Sequence, residues 1–336
     1  MKNRFFTSLL ILGVVILIFI FAGLKYMTNM PDHSYSGPFQ PLSSNEKFLK
    51  DELQNHVLML SNNIGERNIW HYDQLVTSAN YIESVFKDLG YNVTKQEYRI
   101  NNVTIWNLAA EIVGTSKPKE IILIGAHYDS VNGSPGANDN ASGVAALLEI
   151  ARLLKDSAYS RTIRFVAFVN EEPPFFQTND MGSRVYSSQV KQKKEKIIAM
   201  LSLETIGYYS DQIGSQQYPF PFSLFYPKTG NFLAFVGNIS SRLLVHRAID
   251  IFRRNISFPS EGISAPGWIT GIDWSDHWSF WQEGYQAIMI TDTALFRYKY
   301  YHSAQDTYEK LNYTHIARAV MGIAQVVRDL SETGMK

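Results

Sequence analysis

The sequence predicts an α/β fold: one three-layer domain with a mostly parallel, mixed sheet covered by helices on both faces, preceded by one N-terminal transmembrane helix. Three observations carry that expectation. Apolar strand-type runs without in/out alternation, such as "EIILIGAH" at 120–127 and "TIRFVAFVN" at 162–170, recur between segments of helical spacing. Strands buried on both faces read this way. Residues able to do chemistry fall at the carboxyl ends of those runs, where open α/β sheets place their sites. The run at 5–23, "FFTSLLILGVVILIFIFAG", is uncharged and long enough to cross a bilayer as one helix.

The elements follow in order. Residues 1–4 form a short N-terminus and 5–24 the anchor or signal segment. The apolar region exceeds that of most cleaved signals, and "FAGLKYM" offers a poor small-x-small cleavage site, so an uncleaved anchor is favoured. Lys2 and Arg4 precede the span and place the N-terminus in the cytoplasm and the remainder outside. If the segment is cleaved, the product is secreted or periplasmic. Residues 25–44, rich in Pro, Ser and Gly, read as a linker or an extended entry segment. One globular domain is expected over 45–334.

Helical spacing appears at 45–61 and at 72–90, the second ending on Gly90. Strands are expected at 91–100, 107–115 and 120–129, then a loop rich in Gly, Asn and Pro. The helix from 141 to 156 aligns Val144, Leu147, Leu148, Ala151 and Leu154 on one face. A strand at 162–170, a helix at 181–196, a strand at 197–207, a strand at 231–238, a helix at 240–255, a strand at 286–292 and a closing helix at 313–332 complete the pattern.

Composition narrows function. The 31 basic and 31 acidic residues cancel, and no basic stripe marks a nucleic-acid binder. There is no cysteine, so disulfides and thiolate metal sites are excluded and any metal rests on His, Asp or Glu.

Seven ionisable residues end the predicted strands or follow them closely: His127, Asp129, Asp139, Glu171, Glu172, Glu204 and His302. Five acids and two histidines in one place require a cation. His127, Asp139, Glu172, Glu204 and His302 are donors of the kind zinc accepts. With Asp139 as bridge, each of two ions receives one histidine and one terminal carboxylate. Three carboxylates and one bridging hydroxide then balance two Zn²⁺. Glu171 remains outside that set and suits a general base. Each fragment alone has an ordinary structural reading, a satisfied His–Asp pair, a solvated Glu–Glu or a turn into a capped helix; their joint occurrence in order favours the metal site.

"GAHYDS…GANDNASG…NEE…LETIGY…YHSAQDT" resembles the signature of the co-catalytic zinc aminopeptidases, relatives of bacterial leucyl aminopeptidase, glutamate carboxypeptidase and glutaminyl cyclase. The resemblance runs from "NLAAEIVG" to "YHSAQDTYEKL". It implies that His127 and Glu204 hold one metal, that Glu172 and His302 hold the other, that Asp139 bridges and that Glu171 is the base. Glu204 departs from the family, where aspartate is frequent; the extra methylene leaves ligation possible and puts metal spacing in question. The resemblance also implies a strained peptide at 139–140, with the cis form among the options.

Asp129 is expected to orient the His127 ring and to belong to the catalytic set, and Asp306 to serve His302 likewise. Asp276 and His277 resemble a segment lining the substrate pocket, with a core role for His277 equally weighted. Tyr301 is a candidate donor to the tetrahedral intermediate, weakened by the nineteen tyrosines in the chain. The aromatic stretch "YPFPFSLFYP" is read as packing rather than a lid. The functional expectation is a two-zinc exopeptidase acting on peptides from the N-terminus. Its alternatives are a glutaminyl-cyclase-like transferase and a carboxypeptidase-type relative. The expected partners are a peptide and, through the N-terminal helix, a membrane; the oligomeric state is open.

Overall fold

A computed structural model describes residues 2–100 and 102–335. Met1, Asn101 and Lys336 lie outside it, as do the side chains of Lys2 and Arg4 on which the expected orientation of the span rests. The apolar run forms helix α1 (Lys2–Thr28), which stands clear of the body along most of its length. Its 27 residues reach about 40 Å at 1.5 Å per residue. The chain then crosses the surface as an extended arm. Arg253 Nη1 donates to the carbonyls of Pro31 and Asp32, and the Ser260 N–H donates to Ser34 Oγ.

Helix α2 (Ser44–Leu58) opens with a reciprocal cap between Ser43 and Glu46. Helix α3 (Tyr72–Asp88) stops before Gly90, whose φ is 90°. The strands are β1 (Thr94–Ile100), β2 (Val103–Ile112), β3 (Lys117–His127), β4 (Arg161–Phe168), β5 (Lys196–Glu204), β6 (Leu233–Gly237), β7 (Ser260–Ser264) and β8 (Ala287–Thr291). Between and after them lie α4 (Gly143–Leu154), α5 (Gly182–Gln192), α6 (Arg242–Asn255), α7 (His277–Gln282) and α8 (Tyr313–Thr333). Strand β7 and helix α7 were not foreseen. Each is short, and β7 mixes polar residues and a glycine in a manner that reads as loop.

The eight strands form one mixed sheet in the order β1-β2-β4-β3-β5-β8-β6-β7. Its centre, β4-β3-β5-β8, is parallel throughout, and antiparallel pairings occur at β1–β2, β2–β4 and β6–β8. The period of two is visible on β3. Ile122 and Ile124 face the large core shared with α2, α4, α6 and α8, while Ile121 and Leu123 face a second cluster with Tyr186, Val190 and Phe280. The sequence leaves β3 for β4 on one side and returns to β5 on the other. The carboxyl end of β3 is therefore a topological switch point, where such sheets open a crevice.

Candidate metal centre and its apolar neighbour

Each candidate side chain reaches the crevice by a separate device. His127 is the last residue of β3 and is fully buried. Beyond β4, Asn170 adopts φ 56° and breaks the strand's alternation. The two oxygens of Asp129 then accept from the N–H groups of Glu171 and Glu172, at 3.1 Å each. That clamp turns both glutamates into one cavity, which Asp139, Glu204, Trp274, Tyr301 and His302 also line. Asp129 Oδ1 faces His127 Nδ1 at 3.5 Å. One carboxylate thus spans the histidine and the glutamate turn.

Asp139 sits in a π-type turn, Ala137–Ser142, ahead of α4, and its peptide to Asn140 is cis. Neighbouring amides hold the turn. Asn140 donates to the Leu203 carbonyl at 2.8 Å and accepts from the Thr205 and Gly143 N–H groups at 3.1 Å each. Asn138 donates to Asp292 and accepts from the Gly207 N–H. A β-carbon on Gly143 would lie 2.3 Å from Asn140 Oδ1 and 2.7 Å from the Leu203 carbonyl oxygen, so this contact requires glycine.

The donors form two groups that share Asp139. In one, His127 Nε2 lies 3.3 Å from Asp139 Oδ1 and 3.3 Å from Glu204 Oε2. In the other, His302 Nε2 lies 3.0 Å from Asp139 Oδ2 and 3.2 Å from Glu172 Oε2. The donor atoms of each triad fall within 4.8 Å of one another. A tetrahedral zinc with bonds of about 2.0–2.1 Å separates its ligands by about 3.3 Å. His127 Nε2, Asp139 Oδ2 and Glu172 Oε1 are buried without a hydrogen bond. Buried polar atoms are seldom left so, and metal coordination by these donors would satisfy them. Glu204 is held by Ser275, which donates to its Oε2 at 2.7 Å and is itself 2.9 Å from Ser202 Oγ.

Electrostatics give the same reading. Burial, assisted by the charges of Glu204, Glu172 and Asp276, pushes Glu171 well above the usual carboxylate range. Burial and the nearby Asp139 push Glu172 up to about 8. Burial and Asp139 also raise Glu204. Burial works against Asp139 too, but the close approach and charge of the His127 and His302 rings outweigh it and hold that carboxyl low. Burial disfavours a charged His302, yet Asp139 and Glu172 raise it to about 10. The cluster carries more negative charge than its surroundings neutralise, and bound cations relieve that excess.

Arg67 is a site residue that no motif or periodicity marks. This residue is fully buried, and its guanidinium donates to the carbonyls of Tyr128, Pro135 and Gly136 at 2.6, 2.6 and 2.8 Å. It ties the segment after His127 to the turn that carries Asp139, and it puts a fixed positive charge beneath Asp129, Asp139, Glu172 and Asp306. Gly136 takes φ 61° at this contact.

Three expectations are corrected. Asp306 does not orient His302; it accepts from the Asn138 and Asp139 N–H groups and from Tyr298 Oη, and so fixes the backbone of the Asp139 turn. The His302 ring is instead stacked on Tyr301, with centroids 3.8 Å apart. Asp276 does not line the cavity but is fully buried, and of the two roles open to His277 the core one holds: it is fully buried, with Nε2 paired to the Ile272 carbonyl at 2.8 Å. Trp274, two residues earlier, is the one that reaches it. The aromatic stretch does more than pack: Tyr218, Phe222 and Tyr226 line a second cavity. That cavity is walled by Phe232, Ala234, Val236, Ile269, Ile272 and Met289 and meets the polar one at Glu204, Trp274 and Tyr301.

An α/β sheet with paired histidine–carboxylate triads at its switch point belongs to the class of zinc-dependent metallopeptidases. The comparisons place the chain within that class: it is a member of peptidase family M28, whose profile matches residues 107–327. It is 39% identical to the uncharacterized protein YfbL of Escherichia coli over 282 residues, 81% of this chain and 86% of that one. It is 43% identical to the aminopeptidase YwaD of Bacillus subtilis over 90 residues, 25% of this chain and 19% of the relative. It is 25% identical to a probable aminopeptidase of Saccharomyces cerevisiae, covering 75% of this chain and 64% of that one. Among solved structures, the zinc aminopeptidase BSAP of Bacillus subtilis superposes with a TM-score of 0.69 at 16% identity, covering 84% of this chain and 95% of its own. The glutaminyl cyclase of Fimbriiglobus ruber gives 0.61 at 20% identity, covering 87% and 98%. At such identities these two likenesses speak to the fold.

Proposed function

We propose that the chain is a membrane-anchored aminopeptidase that holds two zinc ions, one at His127, Asp139 and Glu204 and the other at Asp139, Glu172 and His302. The observation that carries this reading is the division of Asp139, with Oδ1 turned to His127 and Oδ2 to His302. A carboxylate shared in this way suits a bridge between two ions. Bound zinc supplies Lewis-acid polarisation of the scissile carbonyl and acidifies the attacking water.

The side chains do the rest. Glu171 lines the cavity but belongs to neither triad. Its raised pKa suits a carboxylate that takes a proton from the attacking water and delivers it to the leaving amine. Asp129 fixes the His127 ring through Nδ1 and the glutamate turn through two backbone amides. The apolar cavity receives the side chain of the N-terminal residue and favours large aliphatic or aromatic groups. Aminopeptidase is preferred to the glutaminyl-cyclase alternative because both triads are complete and because named relatives are aminopeptidases.

In this reading α1 remains attached, holds residues 45–334 outside the cytoplasm, and is not a cleaved signal. The test is a panel of free and N-acetylated leucyl peptides beside an N-terminal glutaminyl peptide, assayed before and after chelation. Zinc-dependent release of free N-terminal leucine supports the reading. Cleavage of the acetylated peptides, or cyclisation of the glutaminyl peptide without hydrolysis of the leucyl one, contradicts it.

A further inference from the structure

We infer that the apolar cavity opens against the lipid bilayer, with the loop at 218–227 set into the interface beside α1. This rests on the reading of α1 as a retained anchor. The helix supplies a depth scale. Its uncharged stretch ends at Leu24 and Lys25 follows, so Lys25 marks the polar boundary. Phe21 lies one turn deeper, about 6 Å at 1.5 Å per residue. The Phe21 ring packs on Phe225, with centroids 6.5 Å apart. A ring that touches Phe21 is itself at membrane depth. The loop therefore lies in the layer, about 5–10 Å thick, where amphipathic segments settle.

The exposed residues of that loop fit the placement. Phe220 is 87% exposed and Leu224 76%, both far from the interior that such residues normally seek. Trp268, on the other loop beside the cavity, is 84% exposed. Further contacts carry the helix end onto the cavity wall. Met27 packs against the cluster of Phe232, Ala234, Val236, Ile272 and Met289. Met30 covers Gly262, where a β-carbon would lie 2.8 Å from its sulfur. The Arg242 guanidinium lies over Tyr26 at 4.2 Å, an aromatic and a cation at the level of the headgroups. The wall of the cavity thus begins where the helix leaves the bilayer, and peptides held at the lipid surface meet it first.

The chain has no cysteine, so single spin labels can be attached to the full-length protein. Phe220→Cys, Leu224→Cys and, as a control at the amino end of the sheet, Asp156→Cys are labelled in nanodiscs of phosphatidylethanolamine and phosphatidylglycerol. Collisions with oxygen and with a water-soluble nickel complex are then compared by power saturation. The expected result is a several-fold higher oxygen-to-nickel ratio at 220 and 224 than at 156. An intact mass that lacks the N-terminal segment overturns the anchor reading itself. An intact chain whose labels at 220 and 224 behave like the control overturns the bilayer placement and leaves the anchor standing. Spin–spin broadening at 220 and 224 overturns it in favour of a second copy on this face. In a parallel arm, Phe220→Ser with Leu224→Ser leaves turnover of a soluble leucyl anilide unchanged and lowers, several-fold, turnover of a leucyl peptide bearing a C-terminal acyl chain in the nanodiscs. Equal turnover of both substrates contradicts the placement.

Discussion

The polar cavity and the apolar cavity share Glu204, Trp274 and Tyr301, yet they are built in opposite ways. The polar one stands on the ends of three adjacent parallel strands, and each of its acids is aimed by backbone or side-chain hydrogen bonds. The apolar one is walled largely by the edge half of the sheet and by loops at 216–226 and 269–272; apolar packing lines it, and hydrogen bonds such as Tyr226 Oη to the Gly262 carbonyl and Gln216 Nε2 to Thr293 tie the loops in place. Chemistry needs fixed charge geometry, which rigid strand ends supply. Selection among side chains needs only shape and apolar area, which loops supply. Changes in the polar cavity should therefore alter turnover without altering preference, and changes in the apolar one the reverse.

The largest effect is expected at Glu171. Glu171→Gln keeps both triads and should lower kcat by about 10³-fold, within the range for loss of a general base, with zinc content unchanged by metal analysis. A variant that retains near-normal turnover removes Glu171 from that role. Next is Arg67. Arg67→Met leaves Asp129, Asp139, Glu172 and Asp306 without their buried cation and should cost about 3–5 kcal/mol in urea unfolding. Arg67→Lys should recover part of this, since it restores charge but not the bonds to three carbonyls.

His277 gives a pH-dependent effect of similar kind. Burial lowers it to about 4 from an ordinary value of 6.5. The folded chain therefore keeps it neutral while the unfolded chain takes up a proton. Stability from this group is complete above pH 6.5 and is lost as the pH falls from 6.5 to 4, by about 3 kcal/mol in all. His277→Gln should lose about that much less stability than the parent between pH 7 and 4, as measured by chemical unfolding. An identical pH dependence in both proteins contradicts the assignment. The smallest effect is expected in the apolar cavity. Phe222→Ala should reduce the preference for leucyl over alanyl substrates about tenfold in kcat/KM, roughly 1.4 kcal/mol, while kcat on the alanyl substrate stays unchanged. A fall in kcat with preference intact would show that the two cavities are not separable.

The same division explains what could be read from the sequence. His127, Glu171, Glu172 and Glu204 each follow an apolar strand of strong pattern, so their common location could be inferred from period and order alone. The adjacency of the two glutamates makes sense only with the Asn170 turn and the Asp129 clamp, which are contacts between residues some forty positions apart. Arg67 lies in "GERNIW", a segment with no periodicity, and its partners are carbonyls, which leave no mark on a sequence. Asp306 was read by proximity in the chain to His302, whereas its bonds run to Asn138 and Asp139. Strand β7 and the aromatic loop owe their places to long-range packing rather than to local pattern, so the wall of the apolar cavity stayed hidden. The Ser275 support of Glu204 likewise joins residues 71 apart.

The most direct measurement is a zinc titration of the chelated full-length protein, followed by release of leucine from a leucyl anilide. With two triads sharing Asp139, activity should rise with added zinc and reach its plateau at two equivalents per chain, and Asp139→Asn should show neither tight binding nor recovery. Full activity in the chelated protein, or a plateau at one equivalent that a second ion does not change, would contradict a two-zinc aminopeptidase.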